Sequence, residues 1–179
     1  MMSETKDTLQ KAKDQMRLSE RIAAFIPGFR GYKEKELRRE SDKLIRNHLY
    51  LKLNASRKDL KVIFQKLADR RYFDVLTDMD RLNAKMDRMA EKINHASYGY
   101  SGFFDVVKIK EENLDRMIDF DNKLVSEIDS LHAEVDAYKT EIAQNDFHNS
   151  KQRVQNIVNA LDSFETTFDS RQEVILGVT

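Results

Sequence analysis

The sequence predicts an all-α protein: an elongated four-helix antiparallel bundle with coiled-coil-like packing, preceded by an amphipathic N-terminal helix. Three observations predict it. One Pro and five Gly in 179 residues leave few places to break a helix. Charged residues make up 35 % of a chain without Trp or Cys, a composition that suits long surface helices. Apolar residues in the second half recur at alternating spacings of three and four. Leu114, Met117, Leu124, Ile128, Leu131, Val135, Tyr138 and Ile142 form one such series if Asp121 is counted as a member. Val154, Ile157, Leu161, Phe164, Phe168 and Ile175 form a second if Arg171 is counted. Folded antiparallel about residue 146, the two series pair with residue numbers that always add to 292: Tyr138 with Val154, Val135 with Ile157, Leu131 with Leu161, Ile128 with Phe164, Leu124 with Phe168. Asp121 and Arg171 then fall opposite each other, which predicts a structural ion pair that sets register rather than a catalytic site.

Residues 1–29 form the N-terminal unit and residues 30–179 the bundle. In the first, a helix over residues 3–25 starts at an N-cap Ser3 and carries a stripe of Leu9, Ala12, Met16, Ala23 and Ile26, flanked by Leu18, Ile22 and Phe25. Pro27 disfavours helix at Ile26, and Gly28 permits a turn. The stripe is thin at its start, so docking on the bundle or on a partner helix is the expected role, ahead of a membrane-surface role.

The first bundle helix is predicted over residues 33–70. Its stripe drifts between Leu37, Leu44, His48 and Leu51 on one face and Ile45, Leu49, Leu60, Ile63 and Leu67 on the next, as in a helix that touches two neighbours or changes neighbour halfway. Residues 73–96 follow after a turn that no glycine marks, with Tyr72, Val75, Met79, Leu82, Met86, Met89 and Ile93 in a heptad series. Three methionines on one stripe fit a promiscuous groove, but ordinary core is the expected reading. The last two helices are predicted over residues 110–145 and 148–176.

Charge is uneven along the chain. Residues 30–71 hold fourteen Lys or Arg against six Asp or Glu, while residues 109–179 hold seven against fifteen, so +8 faces −8 in a protein of net charge zero. Packing of the basic helix beside the acidic pair is the expected cause. A basic face of Lys33, Lys35, Arg38, Arg39, Lys43 and Arg46 meeting an anionic surface is the sharper alternative, although interleaved Glu34, Glu36, Glu40 and Asp42 absorb part of it through i,i+4 pairs.

Sequence motifs for catalysis are absent: there is no phosphate-cradling glycine loop, no H-E-x-x-H and no G-x-S-x-G. A di-iron bundle needs two Glu-x-x-His motifs, and the nearest match is a lone Asp129 with His132. His48, His95, His132 and His148 share no ligand spacing. The expectation is therefore no enzyme, no metal and no cofactor. Lacking Cys, the chain has no disulfides. No apolar run reaches the roughly 20 residues of a membrane span, and no signal-peptide core is visible, so the expected location is cytoplasmic, at most peripheral to a membrane.

Two segments remain. Pro27 to Tyr32 and Ser97 to Ile109 together hold four of the five glycines and six of the sixteen Phe and Tyr residues. They are read as irregular loops at one end of the bundle, with Phe29, Arg30, Gly31, Tyr32, Tyr98, Gly99, Tyr100, Gly102, Phe103, Phe104 and Asp105 either plugging that end or forming a binding surface. The stretches Ile26 to Glu40 and Tyr98 to Asp105 are also where the chain resembles a family of uncharacterised helical proteins in bacteria and archaea, from about residue 20 to the end. That resemblance implies company with membrane-associated band-7 (SPFH) type proteins, and no catalytic residues. The expected function is a non-enzymatic protein-protein interaction or scaffolding module. An adaptor docking on anionic membrane is second, and nucleic-acid binding, disfavoured by overall neutrality, is third. A protein partner is expected; its identity and any oligomeric state are not legible.

Overall fold

The structure is a computed structural model that describes residues 20, 22–24, 26, 27, 35–100 and 111–176, apart from the side chains of 35–39, 97–100, 111–115, 172 and 174–176. It is an all-α bundle with no strand among the described residues. Four helices make up the frame: α1 (Lys35–Asp69), α2 (Phe73–Tyr100), α3 (Glu111–Ala143) and α4 (Ser150–Leu176). The longest, α1, has 35 residues and spans about 52 Å.

α1 and α2 form one antiparallel hairpin, and α3 and α4 a second. α1 packs on α2 and on α3, and α4 on α3 and on α2, so α1 and α4 lie across the diagonal. The two hairpins lie side by side in the same sense, with α1 parallel to α3 and α2 parallel to α4. Ion pairs fix that register. Across the α1/α3 seam Lys52 meets Asp129 at 3.1 Å and Lys139 meets Asp59 at 2.6 Å, while Ser56 and His132 are hydrogen-bonded at 3.1 Å. Across the α2/α4 seam Lys85 contacts Asp162 and Glu165, and Lys92 reaches Asp169 at 2.6 Å and Glu165 at 3.5 Å. The expected antiparallel bundle is therefore antiparallel within each hairpin and parallel between them. Charges that bracket the apolar seams favour this docking over its inverse.

The core explains why each helix forms where it does. In α3 and α4 every described apolar member of the 292 series is buried, Met117, Leu124, Ile128, Leu131, Val135, Tyr138 and Ile142 on one helix and Phe168, Phe164, Leu161, Ile157 and Val154 on the other, and Ile118, Val125 and Thr167 are buried beside them. α1 does not drift. Beside Ser41, its buried positions are Asp42, Ile45, Leu49, Leu53, Ser56, Leu60, Ile63 and Leu67, an unbroken three-four series whose polar members hide it in the sequence. Leu51 lies outside this series and is 59 % exposed. Paired with α2, Leu67 meets Val75, Ile63 Met79, Leu60 Leu82, Ser56 Met86, Leu53 Met89 and Leu49 Ile93, each pair adding to 142. Met79, Met86 and Met89 are thus core, not groove. Each fully buried Leu or Ile contributes roughly 1.5–3 kcal/mol. Of the predicted N-terminal helix, residues 20 and 22–24 are described and helical, and Ile22 and Ile26 join the core, whereas Ala23 is exposed. The rest of that prediction lies outside the described residues.

Both hairpins turn by the same device. Tyr72 N–H donates to Leu67 C=O and Arg71 N–H to Ala68 C=O, each at 3.0 Å. Asp146 N–H donates to Glu141 C=O at 3.0 Å and Asn145 N–H to Ile142 C=O at 3.2 Å. This is the Schellman closure of a helix, and it requires a left-handed residue. Arg71 (φ 62°) and Asn145 (φ 60°) supply it where glycine is usual. The turns lie side by side, with Tyr72 stacked on Phe147 at 4.7 Å and Arg70 Nη2 donating to Asn145 Oδ1 at 2.8 Å. Arg71→Gly is expected to raise the unfolding free energy by about 1 kcal/mol, the Cβ penalty of the left-handed region, and Asn145→Gly by less. Urea-unfolding midpoints measure both; a loss of stability in Arg71→Gly would mean that the arginine side chain holds the turn.

Candidate interaction surface

At the end opposite these turns α1 and α3 begin and α2 and α4 finish. Here the core changes character. The next level of the 292 series is Asp121 with Arg171, and both are buried. Arg171 Nε donates to Asp121 Oδ1 at 2.5 Å and Arg171 Nη2 to Asp42 Oδ1 at 2.8 Å. Asp42, on α1, is 1 % exposed and accepts through its other oxygen from Arg46 Nε at 2.8 Å and Nη2 at 2.7 Å. One buried guanidinium therefore joins three helices. Ions removed from water cost several kcal/mol each, so the pairing holds only while every partner stays in place.

Outside this layer a groove of about 500 Å³ is lined by Glu40, Lys43, Leu44, Arg46, Asn47 and Tyr50 of α1 and by Ile93 and Asn94 of α2. Leu44 and Ile93 give it apolar surface, while two amides, a phenol and a lysine offer hydrogen bonds, a composition that accepts a mixed polar and apolar contact.

The residues singled out in the sequence fare unevenly. Phe29, Arg30, Gly31, Tyr32, Lys33, Gly102, Phe103, Phe104 and Asp105 lie outside the described residues. Tyr98, Gly99 and Tyr100 are not loop: α2 continues through Tyr100, since one glycine near a helix end costs only about 1 kcal/mol against alanine. Lys35, Arg38 and Arg39 are on the first turns of α1. Lys43 is exposed. Arg46 is not part of an open basic face, because Asp42 holds its guanidinium beside the core.

Asp42, read in the sequence as an acid interleaved with the basic residues, does pair with Arg46 four residues on, but the sequence does not show its burial in the 3-4 series of α1. Nor does it show the inter-helix role of His48, placed in the sequence on the second stripe. It sits half-buried at the α1/α3 seam, with Nε2 3.7 Å from Asp129 Oδ1. Burial pulls the imidazole below its ordinary 6.5, Lys52 adds to the drop, and Asp129 opposes it. Asp129 and His132 serve this seam rather than a metal site, and among the described residues no three His, Asp or Glu side chains converge as metal ligands. No helix among the described residues is long and apolar enough to cross a membrane. No family model, curated protein or solved structure matches the chain.

Arg171→Met strands two buried carboxylates and is expected to cost about 3–5 kcal/mol in urea unfolding, whereas replacing Asp42, Asp121 and Arg171 together by apolar residues of similar volume restores most of it. A single-variant cost below about 1 kcal/mol, as for an exposed pair, would show the layer open to water. For His48 the fold favours the neutral imidazole, so its contribution is present above pH 6.5 and lost as pH falls below that value toward the lower folded pKa. His48→Gln should flatten this part of the stability profile; parallel profiles for the two proteins would assign the slope elsewhere.

Proposed function

We propose that the chain is a non-enzymatic protein-protein interaction or scaffolding module whose contact surface is built from the Gly-aromatic segments and the basic start of α1. One observation carries this reading. Residues 28–34 lead into α1, and residues 101–110 leave α2 and enter α3, so all these attachment points are at the end away from the two Schellman turns. Segments remote in sequence are thereby tethered to one end of a rigid frame, the usual arrangement of a binding surface carried by loops. The same end bears the groove of Lys43, Asn47, Tyr50 and Asn94. Aromatic and arginine side chains are the residue types that most often dominate interface energetics.

The buried charges support a structural use. Asp42 and Asp121 face guanidinium groups, and the Glu165 carboxyl, which burial alone would raise, is held below its ordinary range by Lys85 and Lys92. These groups are engaged in holding helices together.

The test is a crosslinked pull-down of the tagged protein from its native host, detergent-solubilised membranes included, beside a Tyr100→Ala/Phe103→Ala variant of equal helicity. A defined protein partner that the variant loses, by about 30-fold or more per hot-spot side chain, is the expected result. A partner retained equally by the variant would move the contact elsewhere. Recovery of no partner above background would remove the scaffolding reading.

A further inference from the structure

α1 divides its cations between two kinds of place. Those on its flanks are each held by an acid of this chain: Arg46 by Asp42, Lys52 by Asp129, and Arg57 by Asp87. Those on its outward face are Lys43, Lys58, Lys61 and Lys66, and none of the four has an ion partner among the described residues. From residue 41 to residue 68 every exposed side chain of α1 is Lys, Asn, Gln, Leu or Val, with no acid among them. Glu40 and Asp69, both exposed, bound this face at its two ends, so four lysines stand between two acids and the face is net positive in a protein of net charge zero.

The face is also apolar in two places. Leu51 is 59 % exposed and Val62 47 %, two of the four large hydrophobic side chains with that much exposure among the described residues. They are eleven residues apart, three helical turns, and so point the same way. Lys43 to Lys66 spans about 35 Å of straight helix. Of the second sequence stripe, Leu51 points outward, in line with Lys58 and Val62, whereas Leu44 packs partly on the core and His48 on the α1/α3 seam.

We infer that this outward face of α1 docks on the surface of an anionic lipid bilayer, the bundle lying flat with its lysines at the phosphate level and Leu51 and Val62 pressed into the headgroup boundary. The chemistry favours lipid over nucleic acid. The exposed face between residues 41 and 68 carries no arginine to read bases and no aromatic ring to stack on them, while its two aliphatic side chains gain nothing from a phosphate backbone. Lysine stems snorkel, leaving the charge in water while the methylenes cover apolar surface. The mode is docking, since no helix among the described residues can cross a bilayer. Each lysine near such a surface strengthens binding roughly fivefold at low salt. The face shares Lys43 and Asn47 with the groove at the Gly-aromatic end, but Leu51, Lys58, Lys61 and Val62 lie beyond that groove, so variants at these four positions test the lipid face apart from the pull-down.

The experiment is cosedimentation of the full chain with phosphatidylcholine vesicles with and without phosphatidylserine. The expected result is binding only when phosphatidylserine is present, lost between about 0.1 M and about 1 M salt as screening tightens. Lys58→Glu/Lys61→Glu should weaken it by at least about 25-fold, and Leu51→Ala/Val62→Ala should weaken it at constant salt, both with unchanged circular dichroism because all four positions are at the surface. The inference is overturned if the wild type does not bind the phosphatidylserine vesicles. It is equally overturned if the lysine double variant binds them as the wild type does, or if duplex DNA at the same salt displaces the protein from them.

Discussion

One guanidinium holds the far end of this bundle together. Arg171 reaches from α4 to Asp121 on α3 and to Asp42 on α1, and Asp42 in turn holds Arg46. Apolar side chains at that level would pack in several registers with similar energy. A buried charge accepts only the arrangement that supplies its opposites, because any slip by one helical turn leaves an ion without water and without a partner. The layer contributes specificity more than stability. It also explains why α1, which joins this layer through Asp42, cannot slide along α3.

The uneven charge of the sequence finds much of its cause in the docking of the hairpins. Basic α1 lies against acidic α3 and gives Lys52 to Asp129 at the seam, and α2 gives Lys85 and Lys92 to the acids of α4. Neutrality of the whole protein is reached between hairpins rather than within each. What that pairing leaves over is the row of lysines on the outer face of α1.

The second hairpin was legible because its polar exceptions came as a complementary pair at one level of an otherwise apolar series. The first was harder. Asp42 and Ser56 interrupt the stripe of α1 without any sequence sign of their partners, which lie more than seventy residues away at Arg171 and His132. The neighbouring stripe, with half-buried Leu44 and exposed Leu51, supplied apolar residues to fill the gaps, and so the sequence pattern drifts although the buried face does not. The α1–α2 turn was unmarked for a related reason: Arg71 holds a left-handed conformation that sequence reading reserves for glycine. At the functional end, Tyr98-Gly99-Tyr100 has loop composition, but the helix preceding it is long and docked, and it continues through residues of poor propensity. Arg46 counted as surface charge because its acid is itself buried.

The twin turns carry a consequence for how the chain reaches this shape. Leu67 and Val75 are only eight residues apart, and each further pair of the 142 series widens the separation by about two turns, one on each helix, so a hairpin can close from its tip like a zip with little loop entropy to overcome at any stage. The second hairpin has the same geometry. Topologies of such local contacts are quick to form, and the slow event is the meeting of two preformed hairpins. Tyr72 on Phe147, and Arg70 on Asn145, bring the tips together, while the charged layer lies about seven to eight helical turns away. Local contacts at the tips therefore favour closure from the aromatic turns toward the ionic end, where the register is most exacting.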